Sequence, residues 1–148
     1  MNAQGLIETT RALVAGDKGL LPMDENTPTC NRRLARLGIP QDEDARRAYR
    51  ELIVITPGLG ESISGAILYD ETIRQYKQDG TPLIKAIVDA GIIPGIKVDT
   101  GAKDMAGHPG EQVTESLDGL RDRLAEYAES NGQDLPEIRN WKWESTRE

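Results

Sequence analysis

The chain has 148 residues and a net charge of −7, with 37% hydrophobic and 29% charged residues, which predicts one folded domain. This acidity argues against a nucleic-acid partner, because phosphate backbones require compensating positive charge. No apolar run approaches the roughly 20 residues of a membrane span, and the N-terminus lacks the features of a secretory signal, so we expect a cytoplasmic protein without a membrane partner. Cys30 is the single cysteine and His108 the single histidine, which excludes an internal disulfide or a cysteine-based zinc site and predicts no metal.

The first half of the chain alternates between helical and strand patterns. Apolar spacing predicts a leading helix over 3–15 and a short buried strand over 19–23. Two helices are predicted next, over 29–37 and 42–56, although the run LIVIT at 52–56 fits a buried strand equally well.

The second half continues the alternation. We predict a strand over 63–69, a helix over 71–78, a turn over 78–82 and a helix over 83–90. A third strand over 92–99, a loop over 100–111 and a helix over 115–130 complete the pattern. Strands that alternate with helices predict an α/β fold, in which crossover helices connect a parallel sheet.

Asp24 and Glu25 stand where the first predicted strand ends. The carboxyl end of a strand is where parallel α/β sheets and barrels place their chemistry, so these carboxylates are candidate acids or bases. The alternative is that they only cap the following helix by accepting hydrogen bonds from its free N–H groups.

A cluster of arginines and one lysine also suggest a site. Six arginines between positions 32 and 50 form a cluster that suits a small phosphorylated ligand, although solvated helix faces would explain it as well. Lys97 lies within an apolar strand, where a buried ammonium requires a partner such as Asp24, Asp99 or a ligand phosphate. Alternatively, Lys97 reaches solvent at the end of the strand.

Six segments together resemble the N-terminal portion of the class I fructose-bisphosphate aldolases, over about residues 5–127. They are KGLLPMDENT, NRRLARLGI, DARRAYRELIVIT, GAILYDETI, GIIPGIKVDTG and GHPGEQVTESLDGLRDRLAEY. The resemblance implies a partial TIM (β/α)8 barrel made of the first three to four βα units and an N-terminal helix.

The same resemblance implies a lyase of glycolysis and gluconeogenesis that needs no cofactor. Such an enzyme cleaves fructose 1,6-bisphosphate to dihydroxyacetone phosphate and glyceraldehyde 3-phosphate through a lysine Schiff base. By motif, Asp24 and Lys97 correspond to catalytic residues, and Arg33 and Arg46 to residues that bind the substrate phosphates. The Schiff-base lysine of the family lies beyond residue 148.

The resemblance weakens after Tyr127, so we expect an aldolase-like region over 1–130 and a divergent tail over 131–148 that contains Trp141 and Trp143. A whole barrel takes about 250 residues, so we expect a truncated chain that is inactive alone. The alternative function is a non-enzymatic module that binds sugar phosphates or assembles with itself. A homo-oligomer would close the open sheet edges of such a half-barrel.

Overall fold

Three parallel strands form the centre of the structure, a computed structural model that describes residues 3–129. The strands are β1 (Gly19–Met23), β2 (Ile63–Leu68) and β3 (Ile93–Ile96), and they lie in the order β1-β2-β3. Both neighbouring pairs are parallel, which confirms the predicted α/β fold. The described helices are α1 (Ala3–Leu13), α2 (Thr27–Arg36), α3 (Glu43–Val54), α4 (Leu59–Ser62), α5 (Asp70–Ile73), α6 (Leu83–Asp89) and α7 (Leu120–Glu129).

The two faces of the sheet have different partners. One face carries Met23, Ala66 and Leu68, which form the hydrophobic core together with Val54, Ile87 and Ile92. Side chains alternate along a strand, so the intervening positions belong to the opposite face. On that face, a Cβ atom at Gly65 would lie 2.5 Å from Leu13 Cδ2 and 3.0 Å from Leu20 Cδ2. Glycine at position 65 therefore allows α1 to pack closely against β2.

Helices α2 and α3 begin at residues that cap them. The Asn26 side chain accepts a hydrogen bond from Thr29 N at 3.0 Å, and Asp42 accepts one from Ala45 N at 2.8 Å. Each cap satisfies a backbone donor that has no partner within its helix. The alternative of a strand over 52–56 is wrong, because the helical hydrogen bonds of α3 continue to Ile55 N, which donates to Glu51 O at 2.9 Å.

The structure shortens two of the predicted elements and adds one helix. The helix predicted over 71–78 is only the single turn α5, because the chain then bends back and Tyr76 pairs with Pro82 in an isolated bridge. The strand predicted over 92–99 is limited to β3, and the short helix α4 was not predicted.

A β-hairpin replaces the predicted loop over 100–111. Its strands β4 (Gly101–Asp104) and β5 (Gln112–Glu115) pair antiparallel, and α7 therefore begins at Leu120 instead of near Glu115. Gly101 is half-buried and the other residues of these two strands are exposed, so the hairpin has no buried side to produce an alternating pattern. Within residues 3–129, no helix is long and apolar enough to cross a membrane. Trp141, Trp143 and the rest of the predicted tail lie outside the described residues.

Candidate active site

Asp24 and Lys97 leave the sheet at the same edge. In the parallel register Met23 pairs with Leu68, and Leu68 pairs with Ile96, so the residues that follow β1 and β3 emerge side by side. Lys97 N also donates to Leu68 O at 2.9 Å, which extends the pairing by one residue. Two residues that are 73 positions apart in the chain therefore meet at the carboxyl edge of the sheet.

The Lys97 ammonium lies between two carboxylates. Its Nζ atom is 2.6 Å from Asp99 Oδ2 and 3.4 Å from Asp24 Oδ2. The hydrogen bond to Asp99 raises the pKa of Lys97, and the same bond lowers the pKa of Asp99. Of the two alternatives for Lys97, the structure shows the one in which it pairs with carboxylates, although 23% of its side chain is exposed.

The capping explanation for the two acidic residues after β1 is wrong. Asn26 provides the cap of α2, and Asp24 instead contacts Lys97. Glu25 forms an ion pair with Arg33 through its Oε1 atom, while 54% of the Arg33 side chain stays exposed. Each of the residues 24–26 therefore makes a different contact, and only the contact of Asn26 caps a helix.

The arginines of α3 are arranged differently from a solvated helix face. Arg46 is 8% exposed and Arg50 is 2% exposed, and both guanidinium groups bind the carboxylate of Glu71. Arg46 Nη2 lies 2.6 Å from Glu71 Oε1, and its Nη1 donates to Asn31 Oδ1 at 3.0 Å and to Gln41 O at 3.2 Å. The hydrogen bond from Arg46 lowers the pKa of Glu71. We call Arg46, Arg50 and Glu71 the buried ion cluster.

The predicted site residues therefore lie in three separate places. Asp24 and Lys97 are in contact, whereas Arg46 is part of the buried ion cluster and Arg33 pairs with Glu25. Substrate binding by Arg33 and Arg46 stays a prediction. The role of Glu71 was not predicted, and its signal in the sequence is a carboxylate three positions after the second strand. Among residues 3–129, no group of three or more potential metal ligands comes together.

Comparison with known proteins identifies the family of this chain. The family model described as fructose-bisphosphate aldolase class-I matches residues 5–143. The chain belongs to the class I fructose-bisphosphate aldolase family. The matched range extends beyond the resemblance expected over 5–127, and the tail boundary near residue 130 stays a prediction.

Aldolases from distant organisms align with most of this chain. It is 57% identical over 127 residues to a probable fructose-bisphosphate aldolase class 1 of Xanthomonas campestris, an alignment that covers 86% of this chain and 38% of the relative. It is 45% identical over 122 residues to the chloroplastic fructose-bisphosphate aldolase 3 of Arabidopsis thaliana, covering 82% of this chain and 31% of that protein. Because aldolase relatives include chloroplastic proteins, a cytoplasmic location stays a prediction.

A solved aldolase also shares the fold. The fructose-bisphosphate aldolase of Plasmodium falciparum, crystallised with TRAP and a small-molecule inhibitor, superposes with a TM-score of 0.83 at 39% identity. That match covers 86% of this chain and 37% of the Plasmodium chain. This chain thus spans less than two fifths of the aldolase relatives described above.

Proposed function

We propose that this chain forms one part of the active site of an aldolase that cleaves fructose 1,6-bisphosphate to dihydroxyacetone phosphate and glyceraldehyde 3-phosphate. The contact between Asp24 and Lys97 at the carboxyl edge of a parallel sheet carries the proposal. This is the edge at which α/β barrels place catalytic residues, and the family provides the reaction class.

The proposed reaction breaks the bond between C3 and C4 of the sugar. With C2 held as an imine, formed from its ketone with loss of water, the C4 hydroxyl loses its proton as its oxygen becomes an aldehyde, and the electrons of the broken bond pass to the imine to give an enamine. A proton then returns to C3, and water hydrolyses the imine to release dihydroxyacetone phosphate.

We assign to Asp24, whose side chain is 31% exposed, the roles of bonding substrate hydroxyls and carrying protons. The Lys97 ammonium offers a positive charge to substrate oxygens, and we assign one phosphate to the exposed Arg33. We assign the other phosphate to Arg46, which would have to give up part of its bonding to Glu71, Asn31 and Gln41 to reach it.

The Schiff-base nucleophile of this reaction is a residue other than Lys97. An amine attacks a carbonyl only in its neutral form, and the 2.6 Å hydrogen bond from Lys97 Nζ to Asp99 Oδ2 favours the charged form and raises the pKa of Lys97. Lys97 thus fits a role in binding and charge stabilisation. We assign the nucleophile to a part of the enzyme outside residues 3–129.

We further propose that the sheet is the beginning of a (β/α)8 barrel. The strand order β1-β2-β3, the parallel pairing and the helices that connect the strands all agree with consecutive barrel units. Leu20 is 50% exposed and Ile67 is 37% exposed. Further strands of a closed barrel would cover these side chains.

The test combines this chain with the complementary segment of the Xanthomonas relative and measures cleavage of fructose 1,6-bisphosphate. We expect no cleavage and no imine trapped by borohydride with this chain alone, and both with the combined protein. Asp24→Asn should then lower kcat by about 100-fold or more, because it removes a proton carrier. The matched control is Asp89→Asn, at a carboxylate that only pairs with Lys85 on the surface of α6. An Asp24→Asn protein with the activity of the control would refute the proposal.

A second candidate function is a half-barrel that assembles with itself. The exposed Leu20 and Ile67 favour this function, as do the outer edges of β1 and β3, which have no strand partner within residues 3–129. Sedimentation equilibrium of the chain alone distinguishes the two candidates. A stable dimer that binds dihydroxyacetone phosphate without turnover would favour the assembly function, whereas a monomer would exclude it.

A further inference from the structure

We propose that Asp99 is a positioning residue that holds the Lys97 ammonium close to itself and so leaves the Asp24 carboxylate available to the substrate. The inference deepens the proposed aldolase function and rests on it. It assigns to Asp99 a role distinct from those of the two residues that would touch the substrate.

The distances at Lys97 show which carboxylate holds the ammonium. Nζ lies 2.6 Å from Asp99 Oδ2, a short charge-assisted hydrogen bond, but 3.4 Å from Asp24 Oδ2, which is close to the limit for a hydrogen bond. Residues 97 and 99 are two positions apart directly after β3, and the hydrogen bond between their side chains shows that both lie on the same side of the chain. Lys97 is therefore tightly paired with Asp99 and only loosely with Asp24.

The backbone fixes the Asp99 carboxylate in turn. Its Oδ1 atom accepts a hydrogen bond from Gly101 N at 3.0 Å, while Oδ2 accepts from Lys97. Gly101 begins β4 with a φ of 96°, a conformation that favours glycine. Each oxygen of Asp99 thus has its own partner, so the carboxylate cannot rotate without breaking one of these bonds. The start of the hairpin holds Asp99, and Asp99 holds Lys97.

Asp24 keeps unused hydrogen-bonding capacity in this arrangement. Within the described part of the chain, Lys97 is the one group that bonds its carboxylate, through Oδ2 and at the longer distance. The charged groups that act on Lys97 are Asp99 and Asp24. If the charge of Asp99 is removed, Asp24 is the one carboxylate partner that the ammonium has within residues 3–129. The two would then pair closely, and the substrate hydroxyl would have to compete with Lys97 for Asp24.

The first experiment measures the Lys97 amine in the 148-residue chain and needs no catalysis. Competitive labelling of lysine amines with acetic anhydride over a range of pH, read by mass spectrometry of the Lys97 peptide, gives the pKa of this amine. We expect Asp99→Asn to lower that pKa and to raise the reactive neutral fraction about tenfold for each unit of the shift. Asp24→Asn should have a smaller effect, because its contact is longer. The control, Asp79→Asn beside Lys77, should leave Lys97 unchanged.

The second experiment measures turnover in the combined protein described above. Asp99→Asn should lower kcat by about 10- to 100-fold with a smaller change in KM and a shifted pH profile, because the catalytic groups are misplaced while the phosphate contacts persist. Asp99→Glu, which restores the charge, should recover part of kcat. The control is the thermal unfolding midpoint of each variant. An unchanged midpoint shows that the lower kcat comes from misplaced catalytic groups and not from a loss of folding.

The results separate the two proposals. If Asp24→Asn lowers the pKa of Lys97 as much as Asp99→Asn does, the positioning role is refuted. It is refuted as well if the combined protein is active and Asp99→Asn has the wild-type kcat and pH profile. If Asp99→Asn lowers the pKa of Lys97 more than Asp24→Asn does, but the combined protein cannot cleave the sugar, the pairing of Asp99 with Lys97 is supported and the proposed aldolase function is refuted.

Discussion

Substitution of Glu71 by glutamine tests the buried ion cluster directly. The change keeps the size of the side chain but removes the negative charge that faces Arg46 and Arg50. These arginines are 8% and 2% exposed, so neither guanidinium can regain full contact with water. We expect the variant to be destabilised, because a buried charge that loses its partner retains its desolvation cost.

The expected loss of folding free energy is about 3 kcal/mol. Removal of one member of a buried ion pair costs roughly 3–5 kcal/mol, and two features of this cluster favour the lower end. The glutamine oxygen can still accept one hydrogen bond, and 20% of the Glu71 side chain already reaches solvent. In addition, Arg46 keeps its bonds to Asn31 and Gln41, and Arg50 keeps its bond to Gln75 Oε1.

Urea unfolding of the 148-residue chain, followed by circular dichroism, measures this loss. For an m-value of about 2 kcal/mol/M, the midpoint of Glu71→Gln should fall by about 1.5 M. The control is Asp89→Asn, which removes an exposed ion pair with Lys85 on α6 and should cost less than about 0.5 kcal/mol. Equal midpoints for the two variants would refute the view that the buried ion cluster stabilises the packing of α3 against α5.

Three further predictions concern pH, the core and a helix cap. The pKa of Glu71 lies below its usual 4.5 in the folded chain because Arg46 bonds the carboxylate, so its stabilisation is complete above about pH 4.5 and is lost as the pH falls through the folded value. Urea midpoints measured from neutral pH down through this range should therefore fall less steeply in Glu71→Gln than in the wild type, and parallel curves would contradict the assignment. Leu68→Ala should cost about 2–5 kcal/mol by the same unfolding measurement, because Leu68 is 0% exposed in the core, whereas Leu37→Ala, at 74% exposure, should cost less than about 0.5 kcal/mol. Asn26→Ala should cost about 1 kcal/mol and speed hydrogen exchange of the Thr29 amide, and an unchanged exchange rate would show that Asn26 does not cap α2.

The elements with a buried side could be predicted from the sequence. β1 matches its prediction over 19–23, and β2 and α6 differ from theirs by only one residue at their ends. Each of these elements contributes apolar residues to one core, and burial imposes a pattern that is visible in the chain. The β4-β5 hairpin was missed for the opposite reason, since exposed strands need no such pattern. α5 stops after one turn because of the pairing between Tyr76 and Pro82, which apolar spacing does not reveal.

The sequence by itself determined the end of β1, and with it the position of Asp24 directly after a strand. The end of β3 before Lys97, and the meeting of Lys97 with Asp24 at one edge of the sheet, appear only in the structure. The sequence also contained the motifs of the class I aldolase family. Only the tertiary structure decided between partners that the sequence left open: Asn26 rather than Asp24 caps α2, and Asp99 rather than Asp24 holds Lys97 most closely. It also decided that Arg46 and Arg50 turn inward to Glu71. The physical reason is the separation along the chain over which each interaction acts. Apolar periodicity and caps depend on residues a few positions apart, whereas an ion pair depends on distances of a few ångströms between groups that only the folded chain brings together.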